Sequence, residues 1–124
     1  MKNPKTFLLL GMILMAAGVA IGAFGAHALK SKLVESGRTD TFETGIRYML
    51  IHSLALILIG VLMDRYPQLS TAGVLLLIGI FFFSGSLLTL SLTNATYWGA
   101  VAPIGGTAFI VGWLYAAWTI YSNQ

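Results

Sequence analysis

Two histidines, His27 and His52, are the sharpest chemical signals in the sequence. An imidazole can ligate a metal, shuttle a proton or hold a hydrogen bond at either ring nitrogen. Other polar groups stand at suggestive spacings. Tyr48 lies one helical turn before His52, Ser84 and Ser86 form a close hydroxyl pair, and Pro103 precedes Gly105 and Gly106. Two histidines without a neighbouring carboxylate or cysteine make a poor metal site, and neither serine stands in a nucleophile motif. The chain has no cysteine, which removes thiolates and disulfides. The expectation is a protein with no catalytic residue, no metal and no cofactor.

The elements that position these groups are apolar. Hydrophobic residues make up 57% of the 124 and charged ones 9%, against roughly a quarter charged in an ordinary soluble domain. Too few polar side chains remain to cover a core, which excludes a water-soluble fold. The net charge of +3 is no nucleic-acid footprint, because the few basic residues flank apolar runs instead of clustering on one face. Membrane lipids are the expected partners, with acidic head groups as the counter-charge, and no nucleic acid.

The charged residues cut the chain into crossings. Thr6 to Leu29 is uncharged, as is Tyr48 to Met63, and nothing after Arg65 carries a formal charge. Since the last stretch is too long for one crossing, the polar run Thr93-Asn94-Ala95-Thr96 must turn it back. The expected fold is all-α: one domain over 1–124, a four-transmembrane-helix bundle with spans at about 6–29, 45–63, 71–92 and 99–121 and a polar segment at 30–44. The location is the cell membrane, multi-pass. Ala26-His27-Ala28 looks like a secretory cleavage site, but the apolar run before it is too long for a signal core, so it is kept as a span. Tyr66, Tyr97-Trp98, Trp118 and Tyr121 fall at span ends as interfacial anchors. With both termini on one side, Lys2, Lys5 and Arg65 face Lys30, Lys32, Arg38 and Arg47 across the membrane, a balance that sets no strong orientation; the two N-terminal lysines favour termini inside.

In the polar segment, Leu29, Leu33 and Val34 recur at helical spacing beside Lys30, Lys32 and Glu35, suggesting a short interfacial amphipathic turn that Ser36-Gly37 ends. Asp40 reads as an N-cap with Glu43 at the capping-box position, and Glu43 with Arg47 as an i, i+4 ion pair. In the first span Gly11, Gly18, Gly22 and Gly25 form a smooth face for close helix packing, including a GxxxG pair. Its partner is another span or a second copy of the chain, so a homo-oligomer is left open.

Depth ties the polar residues together. His52 lies about seven residues inside the second span, and Ser84 and Ser86 lie six to eight from the matching end of the third, so one of them is the expected hydrogen-bond partner of His52. His27, Pro103 and Gly106 fall in the same leaflet. The cluster His27, Tyr48, His52, Ser84, Ser86, Pro103 and Gly106 then has two readings. It lines a small polar cavity in which Pro103 frees backbone carbonyls, or it is a set of interhelical hydrogen bonds with Pro103 starting or kinking the fourth span.

Three stretches carry a resemblance: GAFGAHALK from Gly22 to Lys30, FSGSL from Phe83 to Leu87, and PIGG from Pro103 to Gly106 with Gly112-Trp113 after it. With Thr44-Gly45 and Tyr48-x-x-x-His52 between them, the chain resembles domain-of-unknown-function family 423, small four-span membrane proteins, over nearly its whole length. The resemblance implies four membrane helices and no established activity or ligand, and it marks the seven cluster residues as candidates for whatever the family does. Leu88 stands where the family usually has tyrosine, and Met49 where glutamine is common. The expected function is a non-enzymatic structural or membrane-organising role; the alternative is an oligomeric channel or transporter for an ion or small solute. Proton-coupled export is disfavoured, because the membrane-embedded carboxylate it uses is missing from the first, third and fourth spans.

Overall fold

A computed structural model describes residues 2–123. Its elements are α1 (Pro4–His27), α2 (Lys30–Ser36), α3 (Thr39–Leu62), α4 (Leu69–Gly79), a π-helical turn (Ile80–Ser84), α5 (Gly85–Thr93), a 3-10 turn (Thr96–Ala100) and α6 (Ala102–Ser122). Four continuous helices are long and apolar enough to cross a membrane: α1, α3, the α4–α5 rod and the 3-10 turn with α6. At about 1.5 Å per residue, the 24 residues of α1 exceed a hydrocarbon core of roughly 30 Å.

Local chemistry sets the boundaries. Asn3 Oδ1 accepts the Lys5 backbone N–H at 2.9 Å, and Pro4 opens α1 at a position whose own N–H would have no partner. The amphipathic α2 stops at Gly37, whose φ of +69° is left-handed. There the Arg38 N–H reaches the Leu33 carbonyl at 2.9 Å and the Gly37 N–H reaches Val34 at 3.2 Å, a Schellman closure. That closure leads straight into α3, so Asp40 is not the N-cap that its type suggests. Arg38 occupies the cap position without a side-chain cap bond, and Asp40 lies inside the first turn, where its charge still suits the helix dipole. The Arg38 side chain instead donates from Nε to Asn94 Oδ1 at 2.8 Å. Asn94, at φ 57°, ends α5 in the turn between the last two crossings.

The second crossing thus begins several residues earlier than its uncharged run, because Asp40, Glu43 and Arg47 ride on the outer turns of α3. Glu43 and Arg47 form no ion pair; both side chains are exposed and border the same cleft.

The glycine face of α1 packs on α3 in an antiparallel register. Gly11 lies against Ser53 and Ile57, Gly18 against Met49 and Leu50, Gly22 against Ile46, and Gly25 against the Phe42 ring. A Cβ at Gly11 would stand 2.7 Å from the Ser53 carbonyl oxygen, so a side chain there would drive the backbones apart. Fully buried Phe7 reaches past α3 to Gly73 on α4. With Leu56, Leu69 and Leu76 it forms the central core. Outward-facing Leu9, Ile13, Val19, Ile110 and Leu114 are exposed, as lipid-facing residues must be. Tyr97, Trp118 and Tyr121 are exposed near helix ends, at the depth of an aromatic belt.

Candidate functional site

Midway along α3, His52 is 4% exposed and both of its ring nitrogens are engaged. Trp113 on α6 donates its indole N–H to His52 Nε2 at 3.0 Å. An indole can only donate, so Nε2 must be the bare acceptor and the ring hydrogen sits on Nδ1. That hydrogen is donated to the Tyr48 carbonyl at 2.8 Å. The two contacts together select one neutral tautomer. They leave the imidazole no free polar atom.

Aromatic rings close around it. Phe109 stacks on His52 with centroids 3.6 Å apart and planes 14° from parallel. Tyr48 lies 4.7 Å from Phe83, and Phe83 meets Phe109 edge-on at 5.6 Å. The spacing is reciprocal: α3 presents Tyr48 and His52 one turn apart, and α6 presents Phe109 and Trp113 one turn apart. Phe109 fits because Gly79 on α4 has no side chain, where a Cβ would collide with its ring.

Phe83 is aimed by the π turn. There the Gly85 N–H bonds to the carbonyl of Ile80, five residues back, and such a turn widens the helix and disturbs its carbonyls. The Ser86 hydroxyl donates to the carbonyl of Phe82 at 2.5 Å and to that of Phe83 at 3.0 Å. On the other side Gly105 of α6 rests on the backbone of Phe82 and Phe83, with no room for a Cβ.

Of the seven cluster residues expected from sequence, Tyr48 and His52 come together. Gly106 flanks them, since a Cβ there would make an ordinary 3.6 Å contact with the Phe83 ring. The expected bond from His52 to Ser84 or Ser86 does not form. Gly45 faces Leu87 and Leu88 across the α3–α5 contact, which sets His52 level with about Ile80. At about 1.5 Å per residue, the two serines stand roughly 6–9 Å nearer the start of α3. Ser86 serves the π turn, and buried Ser84 has no hydrogen-bond partner. His27 is exposed at the end of α1. Pro103 lies in the first turn of α6 and frees no carbonyl inside the helix; its own carbonyl accepts the Thr107 hydroxyl at 2.8 Å.

Sequence reasoning missed Phe83, Phe109 and Trp113 as members of the site. A signal for Trp113 was available: an indole N–H at mid-span needs an acceptor, and His52 is the ionisable residue at mid-membrane depth that offers one. Among the described residues no three His, Cys, Asp or Glu side chains gather to hold a metal ion.

The chain matches the family described as "Protein of unknown function (DUF423)" over residues 21–106. It is 40% identical over 113 residues to the UPF0382 membrane protein YwdK of Bacillus subtilis, covering 89% of this chain and 91% of that one. Identity is 43% over 111 residues to the UPF0382 membrane protein SH2409 of Staphylococcus haemolyticus, with 89% and 90% covered. The UPF0382 inner membrane protein YgdD of Escherichia coli K12 is 39% identical over 97 residues, with 77% and 73% covered. No solved structure matches.

Proposed function

The chain belongs to the DUF423 family of multi-pass membrane proteins, and from that premise we propose that it is non-enzymatic and acts as a structural or membrane-organising bundle. The observation that carries this reading is the closed hydrogen bonding of His52. Its two ring nitrogens are taken by Tyr48 and Trp113, and Phe109 covers its face. A group that is to move a proton or coordinate a solute needs a free polar atom facing water. Here one ring nitrogen is taken up within α3 and the other in joining α3 to α6.

An oligomeric channel or transporter is the second reading. The feature that favours it is the Ser84 hydroxyl, buried without a partner beside the π turn, which a resident water or passing solute would satisfy.

Reconstitution separates the two. Under the structural reading His52→Phe lowers the melting temperature in detergent and liposomes of the parent protein pass no solute above the empty-vesicle rate. A normally stable His52→Phe variant that selectively loses a measurable flux would overturn it.

A further inference from the structure

Where α1 ends and α3 begins, α2 folds back and leaves a cleft of about 520 Å³ between the three helices. Its inner surface is apolar, formed by Gly22, Gly25, Leu33, Phe42 and Ile46. Phe42 and Ile46 of α3 seat against the two glycines, and the cleft opens beside them toward α2. The rim is charged: Lys30 from α2 and Glu43 and Arg47 from α3, all exposed. Neither Lys30 nor Arg47 has an ion-pair or hydrogen-bond partner among the described residues, whereas nearby Arg38 is held by Asn94. This end of the bundle carries Lys30, Lys32, Glu35, Arg38, Asp40, Glu43 and Arg47, which marks it as the head-group level of one leaflet.

Cations above an apolar slot at that level match the two halves of a phospholipid. We infer that the cleft holds one phosphatidylglycerol-type lipid, its phosphate between Lys30 and Arg47 and an acyl chain lying against Leu33, Phe42 and Ile46. The guanidinium and ammonium groups donate to phosphate oxygens. Glu43, an acceptor only, takes the head-group hydroxyls and repels a second negative charge. Two cations and one anion leave the rim with one net positive charge, complementary to a single phosphate and not to a zwitterion. The volume lies within the roughly 300–1,000 Å³ of ordinary ligand pockets. On α1 the site begins 15 residues beyond Phe7, at Gly22, and it does not depend on the role given to His52.

The test is native mass spectrometry of the full chain in dodecyl maltoside, titrated separately with dioleoyl phosphatidylglycerol, phosphatidylethanolamine and phosphatidylcholine. One saturable phosphatidylglycerol adduct is expected, and the double variant Lys30→Gln/Arg47→Gln should weaken it by about tenfold or more. Lys2→Gln/Lys5→Gln, with the same charge change at the opposite end of α1, should leave it intact. Ala26→Trp keeps every charge and obstructs the cleft, so it should remove the adduct while the melting temperature without lipid stays unchanged. Equal binding of phosphatidylethanolamine or phosphatidylcholine overturns the proposal, as does an unsaturable series of adducts or an equal loss with the Lys2/Lys5 pair. Should Ala26→Trp fail to fold, the two charge pairs decide alone.

Discussion

Trp113 and His52 are joined across 3.0 Å by an indole-to-imidazole hydrogen bond between α6 and α3, two helices whose backbones otherwise scarcely meet. The bond therefore holds together parts of the bundle that the α4–α5 rod only bridges. Trp113→Phe keeps an aromatic side chain and leaves His52 Nε2 without a donor. Chemical denaturation in micelles should show a loss of about 1 kcal/mol, the order found for hydrogen bonds between membrane helices. Nitrogen NMR of labelled histidine should find the hydrogen of His52 on Nδ1; a spectrum with it on Nε2 would contradict the bond.

The four glycines of α1 should tolerate alanine unequally. At Gly11 the new methyl meets a backbone carbonyl, at Gly25 an aromatic ring, at Gly18 the end of the Leu50 side chain 2.8 Å away, and at Gly22 only Ile46 Cγ2 at 3.2 Å. Backbone cannot retreat, and a leucine terminus can. Thermal melting should rank Gly11→Ala as the most damaging, at about 1–3 kcal/mol for overpacking, and Gly22→Ala as the mildest. The reverse order would mean that this face does not pack on α3.

Four crossings return the chain to its starting side. Lys2→Cys and Asn123→Cys should be labelled by an impermeant thiol reagent from the same face of sealed vesicles. Labelling of the two from opposite faces would break the four-span topology.

Gly37 has open space around its missing Cβ, and only its φ of +69° demands glycine. Gly37→Ala should then cost about 1–2 kcal/mol through backbone strain alone, visible as lower helicity or melting. Gly37→Asn, a residue more at home in that conformation, should recover part of the loss.

The crossings were legible because charge is absent from long runs, a property of the residues themselves. The glycine face of α1 was legible for the same reason, although its partner was not, since glycines say that something comes close and not what. The His52 environment was harder. Depth counted from the uncharged run placed it beside Ser84 and Ser86, whereas α3 is helical from Thr39 and His52 stands near the middle of that helix. The mistake lies in register, which depends on where Gly45 meets Leu87 and Leu88, a tertiary fact. Asp40 failed as a cap for a related reason: the Gly37 closure supplies the start of α3 before any side-chain cap is needed. No periodicity announces a π turn, so the aim of Phe83 had no signal at all.

That turn also governs the phase of the third crossing. A regular helix advances about 100° per residue, so the residue that a π turn takes in beyond an α turn swings the downstream half of the rod by about that angle. Upstream, α4 presents Leu76 and Gly79 to α6; downstream, α5 presents Leu87 and Leu88 to α3. One rod thereby serves two neighbours on different sides without a kink or a loop. Its length is consequently constrained in a way its composition is not. The slack lies in Ile80–Ser84 alone: removing one residue there would rewind the segment into a uniform α-helix with buried Ser86, Leu90 and Ser91 close to their present seats, whereas forcing the full sequence into regular α-helix, or removing a residue between Ser86 and Leu90, would turn the residues after it away.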